Sequence, residues 1–338
     1  MRDARIKEEG PGYYHIVSRV VDRRMVFDDP EKERFCRIMR AAERFSGIEI
    51  LTHSVLSNHF HVLLYVPERE EVSDELFIRR FGCLYERRRT ASVAAELHQL
   101  RESGQHEEAE ALRARYTYRM YDLSEFAKTL KQRVTMSYNG RHNRKGTLWE
   151  ERFKSVLVEG NVGALSSVAS YIDLNAVRAG MVSDPKDYRF CGYGEASGGS
   201  KRARSGVCHV MRTLNRDPVW NQAARDYRRL LYMTGEQRGV SKAGTPLKPG
   251  FRAEAVETVV EAGGSLSMSE LLRCRVRYFT DGTVLGSKVF VEDVFQRHRQ
   301  RFSPKRKTGA RPMIGGQWGD LCTARRLRLE VITPPATC

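Results

Sequence analysis

The stretch Ser57-Asn58-His59-Phe60-His61-Val62-Leu63-Leu64-Tyr65-Val66 constrains this chain more than any other. From His59 onward it has the alternation of a strand. Side chains in a strand point to opposite faces with a period of two, so Phe60, Val62, Leu64 and Val66 share one face. His59 and His61 share the other, one pleat apart. Two imidazoles so placed can converge on a single ion through neutral ring nitrogens. The same ten residues also describe a half-exposed strand with two incidental histidines, and His-x-His is too short a pattern to decide.

The flanking sequence supplies the partners such a strand needs. Residues 13–21 alternate as a first strand, with Arg23-Arg24 in the turn after it. Asp29-Pro30 reads as the N-cap and first residue of a helix whose stripe is Phe35, Ile38, Met39, Ala42 and Phe45, stopped by Gly47. Residues 48–55 form a second strand, and Leu56-Ser57-Asn58 turns it into the histidine strand, which Pro67 ends. Residues 91–114 are rich in Ala, Glu, Leu and Arg, and about 84–120 reads as a helical insertion, either solvated or an arm that touches DNA. Asp122 and Glu125 form a capping box ahead of another core-facing helix. The loop 139–146, with Arg141, Arg144 and Lys145, suits close approach to phosphates, although a plain exposed loop reads the same way. A short strand at 155–159 completes β-α-β-β-α-β. The expected fold class is therefore α+β: a ferredoxin-like antiparallel sheet with helices on one face.

Residues 165–179 predict one more helix, with Tyr171, Asn175 and Arg178 on one side of its apolar stripe. A tyrosine beside such a stripe is ordinarily a packing residue with its hydroxyl satisfied. Beyond it the pattern loosens, giving three expected units: a domain over 1–195, a Gly/Ser/Lys/Arg-rich linker over 196–217, and a mainly helical domain over 218–338. Short helices expected at 253–262, 267–273 and 287–299 are compatible with a helix-turn-helix that binds DNA, as is the cationic run from Arg301 to Lys307.

Charge narrows the partner. Lys plus Arg number 58 against 42 Asp plus Glu, a formal +16 with pI near 9.7. That excess points to a polyanion, and nucleic acid fits better than an acidic membrane because no basic amphipathic helix with a bulky apolar face stands out. No run approaches the ~18 apolar residues of a membrane span, and the N-terminus lacks a secretory pattern. The 7 cysteines are odd in number and include no CxxC pair, which argues against a disulfide framework or a zinc knuckle. A cytoplasmic, nucleoid-associated protein is the expectation.

These features suggest a chemistry when taken together. A tyrosine hydroxyl can attack a phosphodiester and hold the strand covalently. A divalent ion on two histidines would polarise the scissile phosphate, and Asn175, one turn from Tyr171, could add an oxygen ligand. Four blocks carry a resemblance to a family: Gly12-Tyr13-Tyr14-His15-Ile16 with Arg23-Arg24 and Phe27; Leu56-Ser57-Asn58-His59-Phe60-His61; Gly146-Thr147-Leu148-Trp149-Glu150-Glu151-Arg152-Phe153; and Tyr171-Ile172-Asp173-Leu174-Asn175-Ala176-Val177-Arg178-Ala179-Gly180-Met181-Val182. In that order they resemble the single-tyrosine HUH transposases, and within them the REP-associated tyrosine transposases.

The resemblance implies Mg²⁺ or Mn²⁺, and cleavage and rejoining of single-stranded or hairpin DNA through a 5′-phosphotyrosine. It implies His59 and His61 as metal ligands with Asn175 as the third, and Tyr171 as the nucleophile. By charge, Arg23, Arg24, Arg141, Arg144, Lys145, Arg152 and Arg178 are the expected DNA contacts. Ala176 stands where relatives commonly carry proline. Some relatives exchange the tyrosine helix between protomers, so a homodimer stays open. The rival expectation is a domesticated, non-catalytic DNA-binding or regulatory protein.

Overall fold

The computed structural model describes residues 5–212, 218–233, 277–313 and 318–325. The alternating histidine stretch is a strand, β3 (His59–Val66), one strand in from an edge of a mixed sheet. Leu56-Ser57-Asn58 closes a hairpin between β2 (Glu49–Val55) and β3, with the Leu56 amide donating to the His59 carbonyl at 2.9 Å. The first strand, β1 (Gly12–Arg19), pairs antiparallel with β3 on one side and with β4 (Lys154–Val158) on the other. The resulting order β2-β3-β1-β4 is that of the ferredoxin-like arrangement, and the architecture is α+β.

Register then decides which residues meet. Val62 lies opposite Ile16 and Phe60 opposite Ser18, so the apolar residues of β3 and β1 form one continuous face. Two helices cover it. The helix α1 (Asp29–Ser46) begins at Asp28, whose side chain accepts from the Glu31 amide, one residue earlier than the Asp29-Pro30 cap read from the sequence. It ends at Gly47, whose φ of 71° is the left-handed conformation that glycine adopts without strain. Phe35 from α1 packs on Phe60 with ring centroids 5.0 Å apart. Trp149 meets Phe60 at 5.5 Å and donates its indole N–H to the carbonyl of Lys131, on the helix Leu123–Arg141.

The helices α2 (Asp74–Phe81), α3 (Arg87–Glu102) and α4 (His106–Thr117) come between α1 and that helix, α5 (Leu123–Arg141). The pair α3–α4 is the expected helical insertion. Asp122 caps α5 as the sequence indicated, accepting from the Glu125 amide at 2.8 Å. Helix α5 runs through Asn139 and Gly140 to Arg141, so the expected loop 139–146 starts with a helical turn.

The opposite face of the sheet is covered too. On it lie α6 (Val162–Asp173), α8 (Gly192–Ser197) and α9 (Lys201–Val210), with the single turn α7 (Asn175–Arg178) against α6 and α10 (Trp220–Met233) packed on α9 and α6. The described part of the expected 196–217 linker is thus largely helical. Ser200 caps α9, Ala203, Val207 and Val210 are buried, and Gly206 comes so close to β2 that an added Cβ would sit 2.3 Å from the Leu51 carbonyl. A Gly/Ser-rich composition suggested a linker, but here small residues serve close packing.

Past residue 276 the chain continues the same sheet. A short helix, α11 (Arg277–Asp281), leads into β5 (Val284–Ser287), which pairs parallel with β4. After α12 (Lys288–Arg297), β6 (Arg311–Pro312) and β7 (Leu321–Thr323) complete a seven-stranded order, β2-β3-β1-β4-β5-β7-β6. Sequence patterning offered helices for this region, and α12 matches the one expected at 287–299. The strands β5, β6 and β7 are only two to four residues long, too short for alternation to register. The helices expected at 253–262 and 267–273 lie outside the described residues. In the 301–307 run, Arg306 stacks on Phe295 and Phe302 and donates to the Ala324 carbonyl, so one of its cations braces the fold. No helix among the described residues is long and apolar enough to cross a membrane.

The buried aromatic layer should dominate stability. Phe60→Ala is expected to cost about 3–5 kcal/mol in urea unfolding through lost transfer energy and a cavity. Val289→Ala, at a side chain 79% exposed, should change it by less than about 0.5 kcal/mol.

Candidate active site

The face of β3 opposite the aromatic layer carries His61, which is buried, and His59, which is half-buried. Because Val17 lies opposite His61, His15 sits one pleat along β1 on the same face. His15 is fully buried, and its Nε2 lies 3.0 Å from His61 Nδ1. Its other ring nitrogen, Nδ1, lies 2.7 Å from the Phe279 carbonyl of α11. Burial pushes the His15 pKa down to about 4. Burial, then the neighbouring His15 and His59, push that of His61 well below the ordinary range.

On the other histidine of this strand, His59 Nδ1 lies 2.6 Å from Asn58 Oδ1. Asn58 also donates from Nδ2 to the Arg23 carbonyl at 3.0 Å. That bond braces the turn after β1, in which Asp22 and Arg23 both adopt positive φ, 56° and 55°. Two consecutive non-glycine residues in this region are strained, and such strain persists where the surroundings over-determine it.

Tyr171 comes from α6, which the sheet holds in place. The helix is capped by Asn161, whose side chain accepts from the Ala164 amide at 2.8 Å. At its far end Asp173 is fully buried, with Oδ1 accepting from Thr52 Oγ1 at 2.8 Å and from the Tyr193 amide at 3.1 Å. Its Oδ2 accepts from the Tyr227 hydroxyl of α10 at 2.6 Å. Burial raises the Asp173 pKa to about 6, and these hydrogen bonds oppose that rise. The carboxylate ties α6 to β2 and α10 at the turn of helix that bears Tyr171. The Tyr171 ring stands edge-on to His61 at 6.0 Å and to His15 at 6.4 Å, and tilts against Phe279 at 5.0 Å.

The continuous helix expected over 165–179 is interrupted at Leu174, the C-cap of α6 and N-cap of α7. Tyr171, Asn175 and Arg178 nevertheless stay together. Arg178 folds back so that its guanidinium lies 4.1 Å from the centre of the Tyr171 ring. The same side chain donates to the Tyr171 carbonyl at 2.6 Å and to Asn175 Oδ1 at 2.7 Å. The amide nitrogen of Asn175 is buried with no hydrogen-bond partner.

His59, His61, Tyr171, Asn175 and Arg178 line one cavity of about 470 Å³. Arg23 and Arg152 border it, together with Arg19 and Lys154, which were not among the expected contacts. The remaining expected contacts lie elsewhere. Arg141 forms a two-pronged pair with Glu31 and also donates to Ser137, so its charge is compensated within the fold. Arg144 braces its own loop, bonding Asn139 Oδ1 and the Thr147 carbonyl. Arg24 and Lys145 are exposed away from the cavity lining. Side chain Arg152 also borders a second groove of about 940 Å³ beside α5, with Arg5 and Lys131. Burial, then the charge of Arg5, pushes the Lys131 pKa down to about 8.

Sequence reasoning passed over His15, Asn58 and the Phe279–Thr280 edge of the site. His15 and Asn58 sit inside quoted motifs, but nothing in their spacing says that β1 pairs with β3 in this register. The approach of residue 279 has no local sequence signal at all.

Comparison with known proteins bears on the same span. Residues 11–92 match the family model described as Transposase IS200 like. The IS200-like span holds β1, α1, β2 and β3, with both histidines of the cavity; Tyr171 and Asn175 lie beyond it. A solved structure of a REP-associated tyrosine transposase bound to a REP hairpin is 15% identical, covering 60% of this chain and 90% of that one at a TM-score of 0.39. No curated protein matches.

The Asp173 carboxyl gives a pH prediction. Its folded pKa of about 6 lies above the ordinary 3.8, so the folded state holds this proton more tightly. That stabilisation is complete below about pH 4 and is lost as pH rises through 6. Between pH 4 and 7 the stability of the wild type relative to Asp173→Asn should fall by on the order of 3 kcal/mol, read from urea midpoints at each pH.

Proposed function

We propose that this chain is a metal-dependent DNA transesterase of the transposase type, acting on single-stranded or hairpin DNA. The observation that carries the reading is the meeting of Tyr171 with His61 in one cationic cavity, brought there by elements far apart in sequence. The match of the histidine span to IS200-like transposases supports it.

In this reading the Tyr171 oxygen attacks phosphorus. The phenol gives up its proton as the O–P bond to tyrosine forms, the P–O3′ bond breaks, and the departing 3′ oxygen takes up a proton, so the proton count is unchanged. The product is a 5′-phosphotyrosine that conserves the bond for rejoining. Arg178, against the phenol ring, and Arg152, in the cavity lining, are placed to face the negative charge of the attacking and transferring groups. Because Tyr171 lies beside His61 of its own chain, the step needs no exchange of helices between copies.

His59 and His61 fit a divalent cation by donor chemistry. Asn58 Oδ1 accepts the Nδ1 proton of His59, leaving Nε2 as the nitrogen with a lone pair, and both rings line the cavity. These two residues would hold Mg²⁺ or Mn²⁺, which when bound would polarise the scissile phosphate as a Lewis acid. Asn175 can give Oδ1 to that ion only by sharing it with Arg178, whereas its unpartnered Nδ2 is a donor suited to a phosphate oxygen.

A DNA-binding protein without chemistry is the second reading, and one observation favours it: Tyr171 is only 3% exposed. An adduct assay separates the two. Incubation with labelled hairpin DNA and Mg²⁺ should yield a covalent adduct in denaturing gels. Tyr171→Phe should remove the adduct while binding stays within about threefold; undiminished adduct in that variant would dismiss the nucleophile. Affinity should also fall with salt, log K against log salt having a slope of roughly −0.7 for each phosphate contacted on single strands.

A further inference from the structure

We infer that His15 is a positioning residue, setting the tautomer of His61 through a relay that ends on the main-chain carbonyl of Phe279. The inference rests on the reading of His61 as a ligand for a divalent ion. It assigns a role to a buried histidine and to the C-terminal segment that the proposed reaction does not use directly.

The argument runs along one line of hydrogen bonds. A carbonyl oxygen can only accept, so the 2.7 Å contact fixes the proton of His15 on Nδ1. His15 is fully buried, and a buried imidazole away from any carboxylate is neutral, so its Nε2 carries a lone pair. That lone pair faces His61 Nδ1 at 3.0 Å and requires a proton there. His61, also buried, is then Nδ1-protonated with Nε2 bare. Only a bare nitrogen binds a cation. Asn58 imposes the same tautomer on His59 from the other side, since its Oδ1 can only accept while its Nδ2 donates to the Arg23 carbonyl. The two ligand rings are thereby matched by different devices, one an amide from the hairpin turn and the other a histidine from β1.

The far end of the relay lies 264 positions along the chain from His15. Helix α11 is seated by the pairing of β5 with β4 and by the Lys154–Asp281 ion pair at 2.7 Å. A shift of this segment would take away the acceptor and let His15 adopt its other tautomer, which would place a proton on Nε2 opposite His61. The C-terminal segment therefore contributes an atom to the order of the metal-binding face.

The test is long-range ¹H–¹⁵N NMR on metal-free protein labelled at histidine, followed by Mn²⁺ titration calorimetry. Wild type is expected to show His61 protonated on Nδ1 with Nε2 bare. His15→Leu, which has no acceptor, should lose that preference and bind Mn²⁺ about 10–100-fold more weakly. His15→Gln can still accept from His61 through Oε1 and should stay within about threefold of wild type. A His61 protonated on Nε2 in the wild type overturns the relay, as does a folded His15→Leu variant with unchanged tautomer and Mn²⁺ affinity. Wild type that binds no Mn²⁺ would remove the ion reading instead, and the NMR tautomer would still decide the relay. If His15→Leu does not fold, the wild-type spectrum and His15→Gln carry the test.

Discussion

The antiparallel register between β1 and β3 is the constraint on which the remaining arrangement depends. With Val17 opposite His61, side chains separate into two sets that cannot mix. Phe60, Val62 and Ile16 go to the layer with α1 and α5, and His15 and His61 go to the other. A slip of one residue would exchange the sets, placing imidazoles in the aromatic layer and phenyl rings in the cavity. The first would bury imidazoles without partners and the second would strand apolar rings in a polar cavity, so hydrophobic burial on one face enforces the histidine geometry on the other.

Buried polar groups on the second face are satisfied in an unusual way. Asp173 gathers three donors from β2, α8 and α10, and His15 links β1 to β3 and α11. Such groups contribute little net stability, but each is costly to leave unpaired, so they select one seating of α6 over near alternatives. That seating aims Tyr171 at His61. Among the exceptions are the Ser54 and Ser170 hydroxyls and the Asn175 amide nitrogen, the last in a residue that lines the cavity.

Closure of the site by the C-terminal segment changes how the charge of the chain reads. Many of the basic residues are engaged within the fold: Arg141 with Glu31, Arg297 with Glu8, Arg306 with a loop carbonyl and two phenyl rings. Net charge made a polyanionic partner the expectation, yet it says nothing of which cations face that partner. Of the expected set, Arg23, Arg152 and Arg178 line the cavity beside Arg19, while Lys154 in the same lining is paired with Asp281.

The sequence by itself determined the local elements and the grouping of chemistry. Alternation in β3, the Asp122 cap, the Gly47 stop and the stripe of α1 follow from short-range sterics and burial, which act within a few residues. The pairing of His59 with His61 and of Tyr171 with Asn175 was legible for the same reason: each pair lies within one pleat or one turn. Only the tertiary structure decided that His15 backs His61, that α9 packs on β2 where a linker was expected, that Phe279 packs against Tyr171 and that Thr280 lines the cavity. It also engaged Arg141 with Glu31 and Arg144 with its own loop. Those outcomes depend on strand register and on contacts between distant segments. Neither is encoded in the spacing of neighbouring residues, because the energy that fixes them comes from surfaces meeting after the chain has folded.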